Sequence, residues 1–208
     1  MKQKSKNILP VKFEALFVEK NLKNKYRLNI KKTKIDNLKN NEVLIKIYYS
    51  SLNYKDILIC SGNTGLVRKF PHIPGIDASG KVVYSKSNKF KVGDKVMIVA
   101  RPIGVKSQGG LSEYIKVTSE WVEKLPIGMS LKNSMIVGTA GFTAMNSVIQ
   151  IIKCGLKKNS KPVLISGASG GVGIFAIIIL SKLGFNVIAA TRRRDREFFL
   201  KSLGANEV

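Results

Sequence analysis

A glycine-rich stretch in the last third of the chain has the residue types that let a backbone close around a phosphate group. It runs from Gly167 to Gly173 and contains the pattern Ala168-x-Gly170-x-x-Gly173, the dinucleotide fingerprint with Ala in its first place. The first small residue permits a tight turn, the second lets the backbone approach a pyrophosphate, and the third lets a helix pack closely on a strand. The phosphates would bind backbone N–H groups at the N-terminus of that helix.

The segments around this turn supply the context that the fingerprint requires. Val163–Ser166 is an apolar run typical of a buried strand, and a helix is predicted over Val172–Leu183, ended by Gly184 as a left-handed cap. A second strand over Asn186–Thr191 and a helix over Arg196–Leu203 follow. This βαβα order predicts a parallel sheet and a dinucleotide site. The alternative is a glycine-rich turn with a structural role only.

The end of the second strand indicates which dinucleotide binds. An acidic residue about 20 positions after the glycines would bind the ribose 2′-hydroxyl of NAD. Here the strand ends at Thr191 and is followed by Arg192, Arg193 and Arg194, with no carboxylate at this point to repel a 2′-phosphate. The Thr191 hydroxyl and the guanidinium of Arg192 or Arg193 can bind such a phosphate, so we predict NADPH as the cofactor. The alternative is a solvated charge run, although basic residues at a helix start oppose the macrodipole.

The strong basic charge of the chain suggests a polyanion as a second kind of partner. Of 208 residues, 36 are Lys or Arg and 13 are Asp or Glu, a formal net charge of +23. The excess is spread along the chain, and only 7 of the 36 are Arg, the better reader of phosphates and base edges. Aromatic residues are not interleaved with the Lys residues, which disfavours nucleic-acid binding. A basic nucleic-acid-binding or regulatory protein remains the alternative hypothesis.

Residue counts exclude several kinds of chemistry. The single His72 and the two distant cysteines, Cys60 and Cys154, are too few for a three-ligand zinc site or a Ser-His-Asp triad, so no metal is predicted. We expect His72 to be a turn or packing residue and both cysteines to be buried. The longest apolar stretch, Val172–Leu180, is shorter than the roughly 20 residues that span a bilayer. We therefore predict a cytoplasmic protein with no membrane partner and no signal peptide.

The first part of the chain is predicted to be all β, in a small barrel-like domain with Gly/Pro turns. Its predicted strands are Phe13–Val18, Val43–Tyr49, Lys81–Tyr84, Val96–Val99 and Leu111–Val117. A short helix is predicted over Tyr54–Cys60 and a longer one over Ser134–Ile152. The pattern changes near Leu131, which predicts a β domain over residues 1–133 and the start of a nucleotide-binding domain over residues 134–208.

Six motifs follow one another along the chain. Besides the glycine-rich turn they are Ser50–Asp56 (SSLNYKD), Phe70–Asp77 (FPHIPGID), Gly109–Tyr114 (GGLSEY), Gly138–Met145 (GTAGFTAM) and Leu200–Ala205 (LKSLGA). Together they resemble the medium-chain dehydrogenase/reductase superfamily, on its zinc-free quinone oxidoreductase-like side and nearest to its acrylyl-CoA reductase branch. The resemblance implies an α/β plus β fold: a GroES-like β-barrel domain followed by the start of a Rossmann domain, a doubly wound parallel sheet.

The same resemblance implies roles for individual residues. Tyr54 would contact the nicotinamide end of NADPH with Asn53 beside it, and these two are the candidate catalytic residues. The alternative for both is a polar turn that packs against the sheet. The implied cofactor-binding residues are Tyr54, Thr143, Ser169, Gly170, Gly171, Val172, Gly173, Thr191, Arg192 and Arg193.

The implied reaction is the NADPH-dependent reduction of an activated C=C bond in an enoyl thioester such as acryloyl-CoA, or of a quinone. Hydride would go to the β-carbon, and Tyr54 or water would protonate the α-carbon. A complete dinucleotide fold has about six parallel strands, whereas this sequence ends at the threshold of the third. We therefore expect the N-terminal portion of a longer protein that forms a homodimer at full length. An inactive truncated fragment is the alternative.

Overall fold

The chain forms two compact units, of which the first ends at Gly138 and the second begins at Thr139. The structure, a computed structural model, describes residues 11–23, 25–35, 37–158 and 161–208. The unit boundary lies a few residues after the predicted domain boundary, inside a helix rather than before it.

A long antiparallel hairpin opens the first unit. Strands β1 (Val11–Lys20) and β2 (Tyr26–Ile35) pair along their whole length. Phe13 and Ala15 of β1 are buried against Ile73 in a small core of their own. The sequence predicts β1 but not β2, whose side chains are exposed or half-buried. Pairing with β1, and not an apolar alternation of its own, makes β2 a strand.

Five antiparallel strands form the main sheet of the first unit, confirming the predicted all-β character. They are β3 (Glu42–Tyr49), β4 (Ala78–Ser85), β5 (Lys95–Ile98), β6 (Tyr114–Thr118) and β7 (Glu123–Lys124), in the spatial order β6-β3-β4-β5-β7. The core beneath the sheet consists of β-branched and aromatic residues. It contains Val43, Ile45, Val82, Phe90, Val96, Ile98, Ile115 and Val117.

Two helices follow strands of the first unit in sequence, and the second of them continues into the second unit. Helix α1 (Tyr54–Cys60) agrees with its predicted bounds, and helix α2 (Leu131–Lys153) begins before its predicted start. Among the described residues, α2 alone has the length and apolar composition that could cross a membrane. Gly138, at φ 46° and ψ −156°, breaks its helical backbone. The uninterrupted part, 139–153, is shorter than the roughly 20 residues that a bilayer requires.

The second unit contains the predicted βαβα order. Strand β8 (Val163–Ser166), helix α3 (Gly171–Lys182), strand β9 (Val187–Ala190) and helix α4 (Glu197–Ser202) follow one another, and β8 and β9 pair in parallel. Their core is formed by residues from each of these elements, among them Ile165, Ile177, Leu180, Val187 and Leu200. A parallel bridge also pairs Ile188 of β9 with Glu207.

Candidate functional site

The glycine-rich turn joins the end of β8 to the start of α3. Gly167 adopts φ +61°, a left-handed conformation that favours glycine. The turn is then fixed by two backbone hydrogen bonds. The Ala168 N–H donates to the Ala190 carbonyl at 3.1 Å, and the Gly170 N–H donates to the Gly167 carbonyl at 2.9 Å. Since Ala190 ends β9, these bonds place the turn beside the carboxyl ends of both parallel strands.

The third glycine of the fingerprint is required by the packing of the turn itself. A Cβ atom on Gly173 would lie 2.6 Å from the Gly167 carbonyl oxygen and 2.7 Å from the Ala168 Cα. Gly170 differs, because a Cβ atom there would meet only the Gly167 carbonyl oxygen, at 3.3 Å. The turn therefore has more room for a side chain at Gly170 than at Gly173. Packing within the turn does not explain the glycine at position 170, whereas close approach of a ligand to the backbone does.

The first turn of α3 is electrostatically suited to an anion. The helix begins at Gly171 after an extended Gly170, and its first turn carries no acidic side chain. The first N–H groups of any α-helix have no acceptor within the helix, and the macrodipole makes this end positive. Val172 is partly exposed there, whereas Gly173 is buried against the turn. This arrangement fits the pyrophosphate of a dinucleotide.

A cavity of about 540 Å³ opens between the turn and the end of β9. It brings together five residues that the sequence predicted as cofactor-binding, with a Gly and an Ala from the strand ends. The lining residues are Gly167, Ser169, Gly170, Ala190, Thr191, Arg192 and Arg193. Hydroxyl groups, backbone and guanidinium groups thus surround one space, which is the combination that binds a phosphorylated ribose.

Hydrogen bonds organise the polar wall of this cavity. The hydroxyls of Ser169 and Thr191 lie 3.1 Å apart, and the backbone N–H of Arg193 donates to the Thr191 hydroxyl oxygen at 3.1 Å. The sequence has no carboxylate at the end of β9 itself, but the Asp195 carboxylate accepts a hydrogen bond from the Arg193 guanidinium at 3.1 Å. That contact, followed by the charge of Arg196, lowers the pKa of Asp195. Arg193 and Asp195 are not at the spacing at which ion pairs form along a helix, so the sequence alone did not indicate this ion pair.

Thr143 does not line this cavity. It is an exposed residue of α2, and its carbonyl accepts a hydrogen bond from the Ser147 hydroxyl at 2.9 Å. A larger cavity, of about 640 Å³, lies in the first unit between β1, β2 and β6, but none of the predicted site residues lines it.

The candidate catalytic pair, Asn53 and Tyr54, stands at the start of α1 in the first unit. Tyr54 is the first helical residue, and its side chain is 74% exposed. The Asn53 amide donates to the carboxylate of Asp77 at 3.0 Å, and Asp77 is fully buried. The pair therefore combines a fixed amide with an accessible phenol.

Asp56 holds the backbone around this pair. One of its carboxylate oxygens accepts the Asn53 N–H at 2.9 Å, and the other accepts the N–H groups of Gly75 and Ile76 at 3.1 and 3.0 Å. The side chain is buried, and this desolvation raises its pKa despite the three backbone hydrogen bonds. This role of Asp56 is not among the sequence predictions, although its spacing from Asn53 is typical of a capping box.

The only histidine has the packing role that the sequence predicted. His72 is buried, its backbone pairs with Val18, and its Nε2 lies 2.7 Å from the Gly104 carbonyl oxygen. Burial lowers its pKa, so the neutral imidazole is favoured. The prediction that both cysteines are buried is wrong, because Cys154 is exposed at the end of α2 and Cys60 is half-buried. Within the described ranges, no group of three His, Cys, Asp or Glu residues could hold a metal ion.

Comparison with known proteins identifies the family. Residues 39–127 match the alcohol dehydrogenase GroES-like domain. The acrylyl-CoA reductase AcuI of Ruegeria pomeroyi is 41% identical over 197 residues, which are 94% of this chain and 60% of AcuI. The chain belongs to the medium-chain dehydrogenase/reductase superfamily, in its quinone oxidoreductase-like branch. This confirms the predicted GroES-like domain followed by the start of a Rossmann domain.

Solved structures of this branch agree with the fold over nearly the whole chain. The yhdH oxidoreductase of Salmonella enterica, in complex with NADP, superimposes with a TM-score of 0.88 at 39% identity, over 93% of this chain and 60% of that one. The Bacillus subtilis protein yhfP, with NAD bound, superimposes with a TM-score of 0.89 at 43% identity, over 95% and 60%. The chain thus spans about 60% of the length of these relatives.

Proposed function

We propose that this protein is an NADPH-dependent oxidoreductase that reduces an activated C=C bond, or a quinone. The cavity at the ends of β8 and β9 carries the proposal, since two hydroxyls and two Arg residues line one space there. Of the two similar solved structures, the Salmonella enterica protein has NADP bound and the Bacillus subtilis protein has NAD bound. In this chain the absence of a carboxylate from the cavity lining, together with Arg192 and Arg193, favours the 2′-phosphate of NADPH.

The cofactor fits the residues that would hold it. The first turn of α3, from Gly171 to Gly173, would hold the pyrophosphate on backbone N–H groups, and the small Gly170 would let it approach. Ser169, Thr191 and the two Arg residues would hold the phosphorylated ribose. NADPH supplies a hydride when bound.

Tyr54 would supply the proton that completes the reduction. Its phenol is accessible, and its position is fixed by the start of α1. Asn53 would orient the reacting groups with an amide that Asp77 holds in place. The proposed chemistry uses a phenol, an amide and the cofactor, and it needs no metal ion.

The acceptor is a small molecule, either an enoyl thioester such as acryloyl-CoA or a quinone. One relative similar to this chain is named an acrylyl-CoA reductase, and another is named a quinone-oxidoreductase homolog. The homodimer of the full-length protein and the cytoplasmic location remain predictions from the sequence.

Oxidation of NADPH, followed by its absorbance, tests the proposal with acryloyl-CoA and with a quinone as separate acceptors. We expect turnover with one of them and little turnover with NADH. The variant Tyr54→Phe should lower turnover about 100-fold, a typical contribution of general acid catalysis, and leave NADPH affinity nearly unchanged.

Tyr84→Phe is the matched control, because Tyr84 is a half-buried residue of β4 outside the proposed site. It should retain the turnover of the unchanged protein. No oxidation of NADPH with either acceptor would contradict the proposed reaction, and unchanged turnover in Tyr54→Phe would remove the role of Tyr54 alone.

A further inference from the structure

One carboxylate binds two guanidinium groups beside the proposed 2′-phosphate site. Oδ2 of Asp195 lies 3.1 Å from the Arg193 guanidinium and 3.4 Å from Nε of Arg196. Arg193 also lines the cavity between the glycine-rich turn and β9. The Arg residue that would bind a phosphate there is therefore already engaged by an anion of the chain itself.

A phosphate ester and the Asp195 carboxylate are alternative anionic partners for the Arg193 guanidinium. Carboxylates and phosphates accept hydrogen bonds from the guanidinium fork in the same planar, often bidentate manner. The backbone N–H of Arg193 is anchored separately, on the hydroxyl of Thr191. Its guanidinium can consequently exchange one anion for another without moving the strand end.

We propose that Asp195 is an internal counter-ion that competes with the 2′-phosphate of NADPH for Arg193, and so determines how strongly the site prefers NADPH over NADH. This inference rests on the proposed function and deepens it. NADH has no 2′-phosphate, so its binding leaves the Asp195 ion pairs intact. NADPH must displace Asp195, and its phosphate then lies near a carboxylate of the same sign of charge.

The exposure of these ion pairs makes the exchange possible. The Arg193, Asp195 and Arg196 side chains are all substantially exposed, at 56%, 61% and 42%. Exposed ion pairs contribute little to stability and are screened by salt. Asp195 should therefore weaken binding of the 2′-phosphate by a small factor and not prevent it.

The test compares adenosine 2′,5′-bisphosphate with 5′-AMP, which differ in the 2′-phosphate, on the whole chain by calorimetry. Asp195→Asn should bind the bisphosphate about two- to five-fold more tightly than the unchanged protein, the range expected from breaking an exposed ion pair. Its affinity for 5′-AMP should not change. Asp195→Glu, which keeps the charge, should restore the weaker binding. The gain should shrink between 0.05 and 0.5 M salt because of screening.

Glu197→Gln is the matched control, since Glu197 is an equally exposed acid nearby that pairs with Lys201 at 2.7 Å and does not line the cavity. It raises the net charge as Asp195→Asn does, and it should leave both affinities unchanged. In an Arg193→Ala background, Asp195→Asn should lose most of its gain, because the two effects act through one contact.

The outcomes separate this inference from the proposed function. If the unchanged protein does not distinguish the bisphosphate from 5′-AMP, both the NADPH proposal and the role of Asp195 are wrong. If it prefers the bisphosphate but Asp195→Asn binds it equally or more weakly, the NADPH proposal stands and the competition is refuted. An equal gain in Glu197→Gln would also refute it, by assigning the effect to net charge.

Discussion

The Asp56 carboxylate is buried, yet it accepts hydrogen bonds from three backbone N–H groups, at Asn53, Gly75 and Ile76. These bonds tie the start of α1 to the loop before β4. Asp56→Asn keeps the shape but turns an N–H₂ group toward one of those donors. We expect a loss of about 2 kcal/mol in the free energy of unfolding, the cost of leaving a buried polar group without a partner.

The pH dependence of that loss follows from the raised pKa of Asp56. Burial raises the pKa of Asp56 in the folded protein above its value in the unfolded chain, so the folded state binds the proton more tightly. The contribution of Asp56 to stability is then greatest below the unfolded pKa and is lost as the pH rises through the folded pKa. Denaturant unfolding at several pH values from about 4 to 7 should show a loss in Asp56→Asn that shrinks as the pH rises. A loss that grows with pH would contradict the direction of the shift.

At the residue scale, sequence reasoning identified groups whose identity alone carries chemistry. Ser169, Thr191, Arg192 and Arg193 were predicted and lie around one cavity. Asp56 and Asp195 were not assigned, because their roles depend on which N–H groups and guanidiniums the fold brings to them. No sequence pattern specifies that Asp56 reaches residues 19 and 20 positions away.

The two glycines of the fingerprint lie on the same turn, but substitution should affect them differently. Gly173→Ala would place Cβ 2.6 Å from the Gly167 carbonyl oxygen, so the turn must shift, and we expect about 2–3 kcal/mol of destabilisation. Gly170→Ala meets its nearest atom at 3.3 Å and should fold nearly normally. It should nevertheless weaken binding of NADPH by ten-fold or more, because the backbone can no longer approach the pyrophosphate.

Denaturant unfolding and calorimetric titration of both variants check this contrast. Normal NADPH affinity in Gly170→Ala would mean that the cofactor does not lie against this glycine. Full stability in Gly173→Ala would mean that α3 does not depend on its close contact with the turn.

Gly138 interrupts α2 with a backbone conformation that is nearly restricted to glycine. A Cβ atom there would lie 2.6 Å from the Ser51 hydroxyl and 2.8 Å from the Asp77 carboxylate. Gly138→Ala should therefore destabilise the first unit by about 3 kcal/mol, from strain and from displacement of these polar groups. Gly128→Ala is the control: its φ is +82° but its Cβ would meet nothing within 4 Å, and it should cost about 1 kcal/mol. Equal losses in thermal unfolding would show that the neighbours of Gly138 do not matter.

At the element scale, the accuracy of the sequence predictions follows the locality of the interactions. The bounds of β8, α3, β9 and α4 agree with prediction to within about a residue, because their limits are marked locally, by apolar runs in the strands and by Gly184 and Gly204 after the helices. β2 and β7 were missed, since both become strands by pairing with another strand and not through an apolar pattern of their own. The break in α2 was missed because a glycine within an apolar helical pattern does not reveal its φ angle.

The whole molecule carries a net charge of +23, and only a small part of it has an assigned role. Arg192 and Arg193 line the cavity proposed for the 2′-phosphate. Several Lys residues of the first unit form partly exposed ion pairs instead, such as Lys31 with Glu19 and Lys116 with Glu42. Composition suggested a polyanion partner, whereas the site depends on where two particular Arg residues lie.

The two units have separate cores, and this separation allows ligand binding to be followed in each of them. The only tryptophan, Trp121, packs against the core of the first unit, while α3 and α4 belong to the second. A ligand that binds only the folded second unit at about 100 times its Kd should raise the unfolding free energy of that unit by about 2.7 kcal/mol. With adenosine 2′,5′-bisphosphate, we therefore expect helical circular dichroism to be lost at a higher denaturant concentration, while the Trp121 fluorescence transition stays in place. If both transitions move together, the two units unfold as one cooperative structure, and stabilisation of the nucleotide site is transmitted to the β domain.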